Sequence, residues 1–120
     1  MKYSVYQFEV TDKIYNQINS GENPHAHTAM GALMLTTGEK AQENYDAASE
    51  YFTKVAVVEA NDLDEVFEYG NIGPESKITR IPGVNMTSVS VGNVIIDAYG
   101  NASMVCGWGF TPIIVNDGLV

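Results

Sequence analysis

His25-Ala26-His27 is the one stretch of this chain whose residue types and spacing could hold a metal or move a proton. Histidines at alternate positions of a strand lie on one side and can chelate a divalent cation. Two ligands fall short of the four in a structural zinc site or the three in a catalytic one. Glu22 and Asp46 are carboxylates that could supply a third, and nothing in the spacing selects either. An exposed loop is the better reading. The expectation is no metal and no cofactor, with a small enzyme using His25 and His27 kept as a third option. Nucleophilic chemistry has less to offer. The lone thiol, Cys106, has alternating hydrophobic neighbours in an expected strand, the setting of a buried, inert cysteine. No Gly-x-Ser-x-Gly elbow exists, and no phosphate-cradling glycine loop ends in Lys-Ser or Lys-Thr. No catalytic residue is assigned.

Carboxylates are the abundant chemistry. Fifteen acidic residues face six basic ones, a formal net charge of −9. Such a surface repels nucleic acid and anionic membrane. Lys77 and Arg80 are the only basic pair, so neither direct nucleic-acid binding nor membrane binding is expected. The acids are unevenly spread. Glu59, Asp62, Asp64, Glu65 and Glu68 crowd a stretch with no basic residue between Val55 and Ser76. Glu39, Glu43, Asp46 and Glu50 follow at spacings that put them on one helix face. Either group is a solvated surface or a contact surface for a basic partner. In the sharper version, carboxylates mimic a phosphate backbone and occupy a partner protein's nucleic-acid site.

These residues need a scaffold, and the pattern supplies one. At 120 residues and 45% hydrophobic content, the chain suits a single domain over 1–120. Residues 2–10 alternate strictly and predict a strand. Tyr3, Val5 and Gln7 point one way; Tyr6, Phe8 and Val10 point the other. Thr11 is a helix cap, with Ile14, Tyr15 and Ile18 recurring at helical spacing in a short helix over 12–19. Residues 24–38 stay open between strand, helix and loop. A helix from Glu39 to about Phe52 buries Ala41, Tyr45, Ala48 and Phe52. Residues 54–59 are a strand by β-branched content. Asn61 caps the next helix, with Asp64 at its third position and Gly70-Asn71 at its end. Residues 71–87 form an irregular connection. Residues 88–97 lead into a strand, 98–101 turn, and 102–108 return, making a β-hairpin. Residues 109–115 add an edge segment, because Pro112 excludes a central strand. The class is α+β: a small, mainly antiparallel sheet with a C-terminal β-hairpin, packed against two to three helices.

The segment from about residue 51 to 114 resembles the YodL-like domain family. The resemblance rests on Leu63, Val66 and Phe67, the pair Gly70-Asn71, the turn Ser88-Val89-Ser90-Val91-Gly92-Asn93-Val94-Ile95, and Trp108-Gly109-Phe110. It departs at Asn93, where the family tends to carry Asp, and over residues 72–85. The resemblance implies a phage, plasmid or mobile-element setting, with no enzymatic activity attached.

The leading expectation is a phage or mobile-element accessory protein that binds a host protein with a basic surface and modulates or inhibits it, as in anti-defence. Asp62, Asp64, Glu65 and Glu68 are the first contact residues; Glu39, Glu43, Asp46 and Glu50 are the second. The alternative is a structural or assembly protein, homo-oligomeric through its C-terminal hairpin, with Trp108 and Phe110 at the interface beside Ile113 and Ile114. Cys106 cannot form an intrachain disulfide, and the N-terminus lacks a long apolar signal core. The expected location is the cytoplasm.

Overall fold

The first strand organises the molecule from its centre. The computed structural model describes residues 1–116. β1 (Lys2–Phe8) pairs antiparallel with β2 (Phe52–Glu59) on one side and with β4 (Val94–Ile96) on the other. β3 (Ile78–Arg80) flanks β2; β5 (Ala102–Cys106) and β6 (Gly109–Ile113) continue beyond β4. The order is β3-β2-β1-β4-β5-β6, and every pairing is antiparallel. The α+β class holds, hairpin included. β6 is an edge strand, as Pro112 requires.

Both faces of β1 are covered, which is why neither set of its alternating residues is polar throughout. Tyr3 and Val5 enter a core shared with Val58, Val66, Val89 and Ile95. Tyr6 enters the other core, with Leu33, Tyr45, Phe52, Val94 and Met104. The β1–β2 register shifts by one residue between Val5 and Tyr6. This bulge lets neighbouring Val55 and Ala56 both join the first core and returns Phe52 to the second.

Four α-helices are present among the described residues: α1 (Asp12–Ser20), α2 (Pro24–Met34), α3 (Ala41–Ala48) and α4 (Leu63–Ile72). α2 occupies most of the stretch that periodicity left open. Asn23 caps it through the Ala26 N–H, Pro24 opens it, and Ala26, Ala29 and Leu33 are buried. The small residues that blurred the sequence signal let this helix pack closely against α3. α2 and α3 cover one face; α4 covers the other. α1 has the expected Thr11 cap, but none of its residues is fully buried, and Tyr15 is exposed. No helix among the described residues is long and apolar enough to cross a membrane.

Several boundaries differ from expectation. The helix read as 39–52 is broken into a 3-10 turn (Gly38–Lys40), α3, and a second 3-10 turn (Ser49–Tyr51). Phe52 opens β2 instead of closing the helix. Asp62, not Asn61, caps α4, because Ala60 still pairs with Met1 at the sheet end and the chain turns one residue later. The helix then runs through Gly70-Asn71 to Ile72 and ends at Gly73, whose φ is 91°. Residues 71–87 are less irregular than their composition suggests, since they contain β3. β1 stops at Phe8, so Val10 lies outside it and is exposed.

Candidate functional site

Asp62 accepts the Glu65 N–H at 2.9 Å and so starts α4. Glu65 reaches back to accept the Asn61 N–H, also at 2.9 Å. The pair is a capping box whose return arm lies one residue further upstream. Asp64 and Glu65 fill the first turn, where the helix dipole favours negative charge. Asp64 and Glu68 are exposed.

A third aspartate arrives from distant sequence. Asp97 follows β4 and begins the turn into β5. Its Oδ1 accepts the N–H groups of Tyr99 and Asn101, each at 2.9 Å, and its Oδ2 accepts from the Asn101 side chain at 3.2 Å. Burial pushes its carboxyl pKa up, but the hydrogen bonds from Asn101, Tyr99 and Gly100 outweigh that and hold it below the ordinary 3.8.

Asp62 and Asp64 from α4 face Asp97 and Asn101 from the hairpin across an open groove of about 450 Å³. Tyr3, Leu63 and Phe110 supply its apolar lining. The Tyr3 hydroxyl is pushed above its ordinary pKa, first by burial and then by the charges of Asp97, Asp62 and Glu65. Those carboxylates therefore act on one small region. An adjoining hollow of about 210 Å³ shares Asp64 and Phe110 and adds Phe67 and Val105. The two openings form a trough with an anionic rim and an aromatic floor. Lysine and arginine match that pattern: an apolar stem lies along the floor while the cation meets carboxylate or an aromatic face.

The acidic group on α3 has a different character. Glu39, Glu43, Asp46 and Glu50 are all exposed. Lys40 pairs with Glu43 at 3.0 Å, Gln42 donates to Asp46 at 3.0 Å, and His25 lies 3.7 Å from Glu50. Since α3 and α4 lie on opposite faces of the sheet, the two acidic groups do not merge into one surface. Among the cations, Arg80 is held by Glu75 in a two-pronged pair on the β3 edge, which draws the Glu75 carboxyl below its usual range.

The histidines stand on a helix, not on a strand. Pro24 and the Asn23 cap make α2 begin there, so His25 and His27 project from different sides of its first turn. Among the described residues, no three His, Cys, Asp or Glu side chains are grouped to hold a metal ion. Cys106 is buried, 3.4 Å from the Thr111 hydroxyl.

The C-terminal aromatic pair is split. Trp108 sits in the β5–β6 turn with its ring in solvent, whereas Phe110 is half-buried on the α4 face. Ile113 is buried in the opposite core, and Ile114 is exposed. Phe110 thus joins the α4 carboxylates, and Trp108 does not. Asp97 is the groove residue that the sequence reading missed. Its signal was local: an Asp opening a turn that holds Gly100 and Asn101 is a strong turn former. Nothing in the sequence tied it to Asp62.

No protein-family model, curated protein or solved structure matches this chain.

Proposed function

We propose that this is a non-catalytic binding protein that takes a basic, partly apolar segment of a partner protein into the trough between α4 and the β4–β5 hairpin. One observation carries the reading: Asp62 and Asp64 converge with Asp97 around a groove floored by Tyr3, Leu63 and Phe110. Carboxylates spread for solubility alone need not meet over an aromatic floor. The net charge of −9 adds long-range attraction for a basic partner and speeds encounter. Glu68 extends the acidic face along α4, and the α3 carboxylates form a separate, partly neutralised surface of secondary importance.

In the phage or mobile-element setting that the YodL-like resemblance implies, the partner is a host protein with a basic surface. Occupying that surface would modulate or inhibit it, in the cytoplasm of the host cell. The setting rests on the residues around Ser88–Ile95 and Trp108–Phe110, and the groove chemistry stands without it. The test is charge reversal at Asp62, Asp64, Glu65 and Glu68. Loss of a salt-sensitive partner by a folded variant supports the proposal. Unchanged partner capture by that variant would sink it.

A further inference from the structure

We infer that a second copy of this chain covers the apolar cleft beside Trp108, giving a two-fold dimer. The cleft lies where α2 ends against the β5–β6 turn; it shares Cys106 and Gly107 with the smaller hollow of the trough but none of the groove's carboxylates. Trp108 is 102% exposed, Leu35 82% and Met34 66%. Together with Val91 and Thr111 they bound a cleft of about 440 Å³. Among the described residues, none lining it carries a charge, on a chain whose net charge is −9.

The electrostatics select the occupant. Two copies repel wherever their carboxylates meet, and an uncharged patch is where that penalty is least. A basic partner gains nothing there. The area is also of the right order. Three large apolar side chains exposed this far present on the order of 500 Å². The cleft walls bring that toward the roughly 800 Å² per partner of a standard interface. A two-fold contact must be self-complementary, and this patch carries a projecting ring and a cavity side by side. Each Trp108 enters the other copy's cleft.

The neighbouring sheet edge is closed to the same purpose. Gln42 occupies both backbone groups of Ile114, accepting its N–H at 2.7 Å and donating to its carbonyl at 2.9 Å. Pro112, two residues before on the same outward parity, has no N–H to offer. The dimer is therefore formed through the cleft and not by continuing the sheet at Pro112–Ile114. It leaves the groove between Asp62 and Asp97 open in each copy, so a partner with repeated basic segments gains from binding both.

The chain's sole tryptophan reports on the contact directly. Sedimentation of the full chain over a concentration series should approach twice 13.0 kDa, with Trp108 emission shifting to the blue in parallel. Trp108→Ala and Leu35→Glu should each weaken the dimer at least about tenfold, the loss expected for a central aromatic or buried apolar anchor. Both sites are exposed, so the folds survive. Ile114→Glu, on the sheet edge, should leave the mass unchanged. A mass of 13.0 kDa at every concentration overturns the proposal. So does a dimer that Ile114→Glu dissolves while Trp108→Ala and Leu35→Glu leave it intact.

Discussion

Gly70 and Val89 touch so closely that a Cβ on Gly70 would overlap the Val89 Cγ2 and lie 2.8 Å from its Cβ. The Val89 N–H also points at the Gly70 carbonyl, 3.4 Å away. Asn71 adds a bond from its side-chain amide to the Val89 carbonyl at 2.9 Å. This contact fixes the C-terminal half of α4 to the segment that leads into β4, and so helps hold one wall of the trough.

The sign of a Gly70→Ala change follows from that contact. In an open helix it would stabilise by about 0.5–1 kcal/mol. Here the methyl meets a fully buried valine side chain, and overpacking costs about 1–3 kcal/mol. Urea unfolding should show net destabilisation, partly relieved in the Gly70→Ala/Val89→Ala pair. Stabilisation by the single change would contradict the packing.

Asp62 has two roles that substitution can separate. Asp62→Ala removes the cap and should cost about 1 kcal/mol of stability. Asp62→Asn keeps an equally good cap acceptor while removing the charge, so its stability should change by only a few tenths of a kcal/mol. Partner affinity should fall in both. Thermal unfolding and binding measured on the same preparations check the separation.

Asp97 links the trough to pH. Its folded pKa lies below the unfolded value near 3.8, so the carboxylate form is favoured by folding. Its stabilising contribution is fully present above that value and is lost as pH falls through the lower folded pKa. Asp97→Asn should therefore flatten the acid side of the stability curve below about pH 4. At neutral pH the loss should be about 1 kcal/mol, since Asn keeps one acceptor for the turn N–H groups. Stability of the two proteins measured from pH 2 upward gives the comparison.

Replacing His25 and His27 together by alanine should leave stability within about 0.5 kcal/mol. Both are exposed; His25 lies 3.7 Å from Glu50, and its ring centre is 6.1 Å from that of Tyr51. Added zinc should not raise the melting temperature of either protein. A rise confined to the parent would reinstate a metal site.

Much of the fold was legible because local signals agreed. β1 alternated, Thr11 capped, the hairpin carried its turn, and Pro112 marked an edge. The failures share a cause: long-range contacts decided what local residues could not. Gly70-Asn71 reads as a helix stop, yet Gly70 is a glycine because Val89 lies on it. Ser88 and Ser90 are residue types that can bond a local backbone turn. The Asn93 side chain does that work, accepting from the Ser90 N–H and from buried Gln7. At Gly92 a φ of 94° and the nearby Leu33 carbonyl both demand glycine, and only α2, which periodicity left open, puts that carbonyl there. The candidate site shows the same division. The α4 carboxylates stand out in the sequence, but their meeting with Asp97 and Phe110 depends on the sheet order.

The most direct measurement is side-by-side capture from a bacterial lysate by the parent chain and by Asp62→Asn/Asp64→Asn/Asp97→Asn, at low and high salt. The triple variant keeps the Asp62 cap acceptor and one of the two Asp97 turn acceptors while removing the groove's charge. The account predicts a partner with a basic surface that the parent retains at low salt, releases at high salt, and that the variant does not retain. Equal capture by both proteins, insensitive to salt, would contradict it.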